Sequence, residues 1–334
     1  MVYETFNSNP PPRHAPPPPP YGAVAGRHRL VVGIDYGTTY SGIVNPPACQ
    51  RSALTNDPCA GVSYGTTDKT TVDDVTVIRT WPGKDGEWKV PTRIAYAKEN
   101  SKVGLAQDAW GYQVEPNMTS CSWTKLLLDM SAEHAVHDDP NLQLAMDRGM
   151  LRLPQNVQPQ QVCSDFLREV HSYMTARLIK QVSKQVLDST PVDCWITVPA
   201  VWSDQAQSAT KAAAHTAGFG SRPQDTISII SEPEAGAIAA LSKYMHPSSL
   251  NAPKVGENIM VCDCGGGTVD ITTYAIVDTE PRLDFEEVCV GIGMSKVSLA
   301  TLAIELTLRR WQVRRDVCGP ESARTHATKI RQRI

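Results

Sequence analysis

Two segments of the sequence place an Asp at the end of an apolar run and follow it with glycines and threonines. Residues 34–39 read Ile-Asp-Tyr-Gly-Thr-Thr, and residues 261–270 read Val-Cys-Asp-Cys-Gly-Gly-Gly-Thr-Val-Asp. Glycine lets backbone N–H groups approach a polyphosphate closely because no Cβ stands in the way. A hydrated Mg²⁺ takes few protein carboxylates, so Asp35 and Asp263 suit it. Each segment alone is also typical of an ordinary hairpin turn. As a pair with matching Asp positions, they predict a site that holds the phosphates of a nucleotide from two sides.

Short apolar strands alternate with helical segments along most of the chain. The pattern predicts strands at 30–34, 75–78, 92–96, 193–198, 227–230, 258–262 and 271–277, and helices at 160–186, 206–217 and 234–244. Turn residues lie at Pro82-Gly83, and Gly218 is suited to end the second helix. Alternation of this kind favours an α/β architecture.

The helix predicted at 160–186 has an apolar residue at every fourth position. The repeat starts at Val162 and continues through Phe166, Val170, Met174, Leu178 and Val182 to Val186. Such spacing is typical of one long amphipathic helix.

Composition limits the class of protein. A chain of 334 residues has room for about two domains. The net charge of −3 gives no overall field that would recruit nucleic acid or an anionic membrane. A short basic run at 309–315 is more typical of a solvated tail than of a nucleic-acid-binding arm. Apolar stretches reach neither the length of a membrane span nor that of a secretory signal core, so we expect a soluble, cytoplasmic protein.

The nine cysteines are scattered singly along the chain. We therefore expect no disulfide framework. Cys262 and Cys264 flank Asp263, but no further pair with zinc-ligand spacing follows them. Reduced structural thiols are the favoured interpretation.

Four ordered motifs resemble the nucleotide-binding domain of the seventy-kilodalton heat-shock chaperones, within the actin and sugar-kinase superfamily. The resemblance runs from about Leu30 to Val290. The motifs are Gly33 to Ser41, Thr197 to Trp202 with the alanine-rich helix after it, Ser231 to Ala235, and Asp263 to Asp270. The sequence Lys125-Leu126-Leu127-Leu128-Asp129 after Trp123 looks more like a divergent, chaperone-related fungal branch.

The resemblance implies roles for individual residues. Asp35 and Asp263 would hold Mg²⁺ through water, Lys125 would sit by the γ-phosphate, and Glu232 would help to orient the attacking water. Asp263 and Thr268 would join Lys125 and Glu232 in the catalytic set. The residues implied to contact the phosphates of ATP or ADP are Gly37, Thr38, Thr39, Tyr40, Gly265, Gly266, Gly267 and Thr268. Without the motifs, a Lys such as Lys125 is usually a solvated charge, and a Glu before a Pro often merely precedes a helix.

The resemblance also implies the domain organisation of an actin-like ATPase with ribonuclease H-like lobes. A disordered Pro-rich leader would occupy residues 1–28, lobe I residues 29–250, and the start of lobe II residues 251–295. Beyond Gly293 the resemblance ends, so we expect a C-terminally truncated domain with a divergent tail at 296–334. Residues 43–60 interrupt a strand pair in which 40–42 would otherwise join 61–64. Both 43–60 and the tail are equally compatible with retained intron sequence and with genuine coding sequence.

The expected function is Mg-ATP binding and slow ATP hydrolysis coupled to a movement between lobes. Gln207 replaces the Arg that such chaperones usually place in the connecting segment, which makes signalling to a substrate domain doubtful. Two alternatives remain open: a catalytically inactive nucleotide-binding or interaction protein, and a small-molecule kinase of the same superfamily. The implied partners are the nucleotide and, in a full-length form, unfolded-protein clients or co-chaperones.

Overall fold

A computed structural model describes residues 28–37, 59–67, 74–129, 152–242, 252–264, 269–280 and 283–294. The predicted tail at 296–334, the leader up to residue 27 and most of the 43–60 segment lie outside the described residues. In the part of the chain that is described, no helix has both the length and the apolar character needed to cross a membrane.

Fourteen strands are described. They are β1 (Leu30–Tyr36), β2 (Cys59–Thr66), β3 (Thr76–Val77), β4 (Thr80–Trp81), β5 (Lys84–Asp85), β6 (Val90–Pro91), β7 (Arg93–Ala95), β8 (Ala109–Trp110), β9 (Cys121–Ser122), β10 (Val192–Val198), β11 (Thr226–Ser231), β12 (Asn258–Cys264), β13 (Val269–Asp278) and β14 (Asp284–Met294). The described α-helices are α1 (Pro159–Val182), α2 (Lys184–Ser189), α3 (Asp204–Ala217) and α4 (Glu232–Ser242). All seven predicted strands and the helices predicted at 206–217 and 234–244 are present, with bounds that differ by a few residues. The helix predicted at 160–186 is present only as far as Val182. The α/β class is confirmed.

The largest sheet has the strand order β11-β10-β1-β2-β3, with β6 pairing to β2. Strands β11, β10 and β1 are parallel, while β2 runs antiparallel to β1. Parallel strands need long crossovers, which the helices α1 and α3 supply between them. Because β1, β10 and β11 point the same way, their carboxyl ends meet at one edge of the sheet.

The core lies between this sheet and the packed helices α1 and α3. The side chains of Val32 and Ile34 from the sheet and of Phe166 and Val170 from α1 are at most 2% exposed. Burying such side chains contributes roughly 1.5 to 3 kcal/mol each. The core therefore fixes the position of β1, whose last residues carry the first Asp motif.

The single helix predicted at 160–186 is wrong in its last part. It breaks at Ser183, where φ is +70°, and the Ser183 side chain accepts a hydrogen bond from the backbone N–H of Val186 to start α2. Val182 and Val186 are 37% and 49% exposed. A four-residue step overshoots one helical turn by about 40°, so the apolar stripe winds away from the core.

A separate antiparallel sheet has the order β12-β13-β14. The turn predicted at Pro82-Gly83 is confirmed, and it joins β4 to β5, two short paired strands that the sequence pattern did not predict. Strand β2 begins at Cys59, so the last two residues of the 43–60 segment pair with Val90 and Pro91. Residues 40–42, predicted to join that strand, lie outside the described residues.

Candidate functional site

The carboxyl ends of the three parallel strands bring Asp35, Thr197 and Glu232 to one edge of the main sheet. Asp35 is near the end of β1, Thr197 is near the end of β10, and Glu232 follows the last residue of β11. The Thr197 hydroxyl donates to Asp35 Oδ1 at 3.0 Å and accepts from the backbone N–H of Tyr36 at 3.2 Å. One threonine therefore fixes both the first Asp and the backbone beside it.

Asp35 also forms an ion pair with Lys89, whose Nζ lies 2.6 Å from Oδ2. Burial raises the pKa of Asp35, but the nearby Lys89 and Lys125 ammonium groups and the Thr197 hydrogen bond lower it more, so the net pKa lies below its ordinary value of 3.8. The carboxylate is therefore ionised at neutral pH. It remains 24% exposed and within reach of a ligand.

Lys125 lies in a 3-10 helix at Thr124–Leu128 and is fully buried. Its ammonium group donates to the backbone carbonyl of Tyr36, to the carbonyl of Thr197 at 3.4 Å, and to Glu232 Oε1 at 2.9 Å. It also lies 5.1 Å from the centre of the Trp202 ring. The alternative that Lys125 is a solvated surface charge is therefore wrong.

Glu232 is the first residue of α4 and is 4% exposed. The hydroxyl of Ser231 accepts a hydrogen bond from the backbone N–H of Glu234 and so caps the start of this helix. This short turn directs the Glu232 carboxylate toward Lys125, which is 107 residues away in the sequence. A buried carboxylate needs such a partner because an unpaired charge in the interior is strongly unfavourable.

We call the set of Asp35, Thr197, Lys89, Lys125 and Glu232 the Asp35 cluster. Its two lysines balance its two carboxylates. The structure brings together three residues to which the sequence assigned roles, namely Asp35, Lys125 and Glu232.

The other predicted site residues are placed only in part. Gly37 is buried, and its carbonyl accepts a hydrogen bond from the Thr92 hydroxyl at 3.1 Å. The backbone of Asp263 lies in β12 and pairs with Asp270, but nothing is described of its side chain. Outside the described residues lie Thr38, Thr39, Tyr40, Gly265, Gly266, Gly267 and Thr268.

The sequence analysis gave no role to Thr197 or Lys89. The place of Thr197 in the site could be predicted from the sequence, because a hydroxyl at the end of a parallel strand lies at the same sheet edge as Asp35. The place of Lys89 could not, since its contact with Asp35 depends on how the loop before β6 passes over β2.

The chemistry of Asp35 fits Mg²⁺. The ion prefers carboxylate oxygens, takes few of them, and keeps several waters. Within the described ranges, no group of three or more His, Cys, Asp or Glu side chains could hold a metal ion. The ionised and partly exposed carboxylate of Asp35 suits a hydrated cation.

A family model described as "Hsp70 protein" matches residues 60–280 of the chain. The chaperone protein HscA homolog of Actinobacillus pleuropneumoniae is 28% identical over 253 residues, which is 74% of this chain and 32% of that protein. The heat shock protein 70 homolog of Acanthamoeba polyphaga mimivirus is 30% identical over 162 residues, covering 48% of this chain and 15% of that protein. The chain thus spans about a third or less of the length of these relatives.

Among solved structures, MreB5 of Spiroplasma citri bound to ADP is similar with a TM-score of 0.39 and 13% identity, over 80% of this chain and 52% of that chain. A MamK double helical filament is similar with a TM-score of 0.35 and 12% identity, over 80% of this chain and 55% of that chain.

Proposed function

The chain belongs to the Hsp70 family, and from that premise we propose that it binds ATP with Mg²⁺ and hydrolyses it slowly. The hydrolysis would be coupled to a movement between an actin-like lobe I, residues 29–250, and a lobe II that begins at residue 251. The antiparallel sheet β12-β13-β14, which lies after residue 251 and is separate from the sheet that contains β1, β10 and β11, supports this arrangement.

The observation that carries the proposal is the Asp35 cluster. Asp35, Lys125 and Glu232 come from three separate parts of the sequence, yet one buried ammonium group links the strand end next to Asp35 to the Glu232 carboxylate. Structural stability alone rarely favours such a pair, because a buried ion pair is often no better than apolar residues of the same volume. Its position at the carboxyl ends of parallel strands is where open α/β sheets bind ligands.

The proposed roles follow from what each group can do. Phosphoryl transfer depends mainly on positioning and charge stabilisation, and bound Mg²⁺ would neutralise phosphate charge. Asp35 and Asp263 would hold the hydrated ion, Lys125 would act beside the γ-phosphate, and Glu232, held in place by Lys125, would help to orient the attacking water. Contact with the phosphates is proposed for the Gly-Thr segments, at Gly37, Thr38, Thr39, Tyr40, Gly265, Gly266, Gly267 and Thr268.

A second candidate function is nucleotide binding without turnover. The full burial of Lys125 favours it, because an enclosed ammonium group reaches a γ-phosphate only if the surrounding residues move.

In either case we propose unfolded-protein clients or co-chaperones as partners. We place the chain with the divergent fungal-type branch on the sequence from Lys125 to Asp129.

The test separates ATP affinity from turnover in the full-length protein. Glu232→Gln keeps a hydrogen-bond acceptor for Lys125 but removes the negative charge. We expect kcat to fall on the order of a hundredfold, as for loss of one charge contact in a transition state, while the Kd for ATP changes little.

The matched control is Glu234→Gln, two residues further along α4 and half-buried. We expect it to keep the parent rate. Hydrolysis by Glu232→Gln at the parent rate would contradict the catalytic assignment. Saturable ATP binding with no turnover in the parent would favour the second candidate.

A further inference from the structure

The two lysines of the Asp35 cluster differ in their access to solvent. The Lys125 side chain is 0% exposed, whereas the side chains of Lys89 and Asp35 are 23% and 24% exposed. An anion that arrives from solvent therefore meets the ammonium group of Lys89 before that of Lys125. Lys89 is the accessible cation of this cluster.

Lys89 reaches Asp35 across a glycine on the neighbouring strand. Gly61 of β2 is paired with Asp35 across the ladder. A Cβ added at Gly61 would lie 3.4 Å from Lys89 Cγ and 4.0 Å from Cε, so the stem of the lysine passes directly over this residue. The Tyr112 hydroxyl donates to the backbone carbonyl of Lys89 at 2.9 Å and holds the start of the side chain in place.

We propose that Lys89 binds a phosphate group of the nucleotide and thereby makes nucleotide binding less dependent on Mg²⁺. The proposal rests on the nucleotide-binding function proposed above. Asp35 without a cation would repel the phosphates, and the Lys89 ammonium group neutralises it from 2.6 Å. The Lys89 ammonium group is a compact positive charge with three N–H donors, which is the chemistry that binds phosphate oxygens.

The contact between Lys89 and Asp35 determines how nucleotide binding should depend on Mg²⁺. In the absence of Mg²⁺, Lys89 supplies the positive charge beside Asp35, and the nucleotide depends on it. With excess Mg²⁺, Asp35 would hold the ion, which would supply the positive charge that Lys89 supplies in its absence. Loss of Lys89 therefore weakens nucleotide binding mainly when the metal is absent.

The test measures ADP binding to the full-length protein by calorimetry, once in EDTA and once in excess Mg²⁺. For Lys89→Met, we expect affinity in EDTA to fall roughly tenfold or more, the scale of one charge-assisted hydrogen bond. In Mg²⁺ we expect a fall below about threefold, since the ion replaces the lost charge. Lys89→Gln keeps an N–H donor to Asp35 without the charge, and we expect it to behave like Lys89→Met. Lys89→Arg keeps the positive charge, so we expect it to bind ADP in EDTA about as well as the parent.

Lys84→Met, at an exposed position of β5, is the matched control for loss of a lysine and should bind like the parent in both buffers. Equal losses in both buffers for Lys89→Met and Lys89→Gln, or no loss in either, would overturn the inference while leaving ADP binding intact. If the parent binds no ADP in either buffer, the proposed nucleotide-binding function fails, and the inference fails with it.

Discussion

Replacing Lys125 by Met removes a buried ammonium group while keeping a side chain of similar length. The group satisfies three acceptors, which are the carbonyls of Tyr36 and Thr197 and the Oε1 atom of Glu232. After the substitution, the Glu232 side chain would still be only 5% exposed and would have lost the ammonium partner that lies 2.9 Å away. The variant therefore leaves an uncompensated charge in the interior.

The magnitude follows from the burial of both partners. Breaking a buried pair by removing one member costs about 3 to 5 kcal/mol. That is a large part of the total stability of a typical domain, about 5 to 15 kcal/mol, and corresponds to a fall in Tm on the order of 10 °C. The double variant Lys125→Met with Glu232→Gln removes both charges, so it should be more stable than Lys125→Met alone.

Chemical unfolding followed by circular dichroism measures this difference. The matched control is Lys184→Met, which breaks an ion pair of 2.7 Å with Asp188 on α2, where the two side chains are 69% and 58% exposed. An exposed pair of this kind contributes less than about 0.5 kcal/mol. If Lys125→Met unfolds at the same denaturant concentration as Lys184→Met, Lys125 is not the buried charge partner of Glu232.

Two further predictions concern stability away from the Asp35 cluster. Gly218 ends α3 at φ +114°, and a Cβ there would lie 3.0 Å from Nδ1 of His171. Gly218→Ala should therefore lower the unfolding free energy by about 1 to 2 kcal/mol or more. The loss should exceed that of the control Gly86→Ala, where φ is +82° but no atom lies within 4 Å of the added Cβ. Equal losses for the two variants in thermal unfolding would exclude the clash with His171. Hydrogen bonds from Arg29 and Thr226 and the charge of Arg29 lower the pKa of Asp193 more than burial raises it, so the pKa lies below 3.8. The ion pair with Arg29 therefore stabilises the fold above pH 3.8, and this stabilisation is lost as the pH falls through the lowered pKa. Unfolding midpoints measured from pH 7 to pH 2 should show that Arg29→Met reduces both the stability at pH 7 and the loss on acidification, and an unchanged pH profile would contradict the pairing.

The sequence predicts the elements of this fold well because their signals are local. The strand ending at Asp35 and the helix ending at Gly218 are each marked by their own residues. The single helix through Ser183 is wrong because a strict four-residue repeat does not show where the helix leaves the core.

The functional site is harder to predict from the sequence than the strands and helices, because its contacts join residues that are far apart in the chain. Resemblance of motifs assigned Lys125 and Glu232 their roles, but nothing local indicates that the two side chains meet across 107 residues. Nothing in the sequence indicates the role of Lys89, since its contact with Asp35 depends on how the loop before β6 passes over Gly61 of β2. The roles of the Gly-Thr segments stay predictions.

A calorimetric titration of ATP with Mg²⁺ into the full-length protein tests whether the Asp35 cluster is the nucleotide site. We expect saturable binding of one ATP per chain, and loss of that binding in Asp35→Ala, which removes the accessible carboxylate of the Asp35 cluster. The unfolding midpoint of the variant, measured alongside, separates loss of the site from loss of the fold. Absence of saturable binding by the parent, or unchanged affinity in a folded Asp35→Ala protein, would contradict the assignment of this cluster as the nucleotide site.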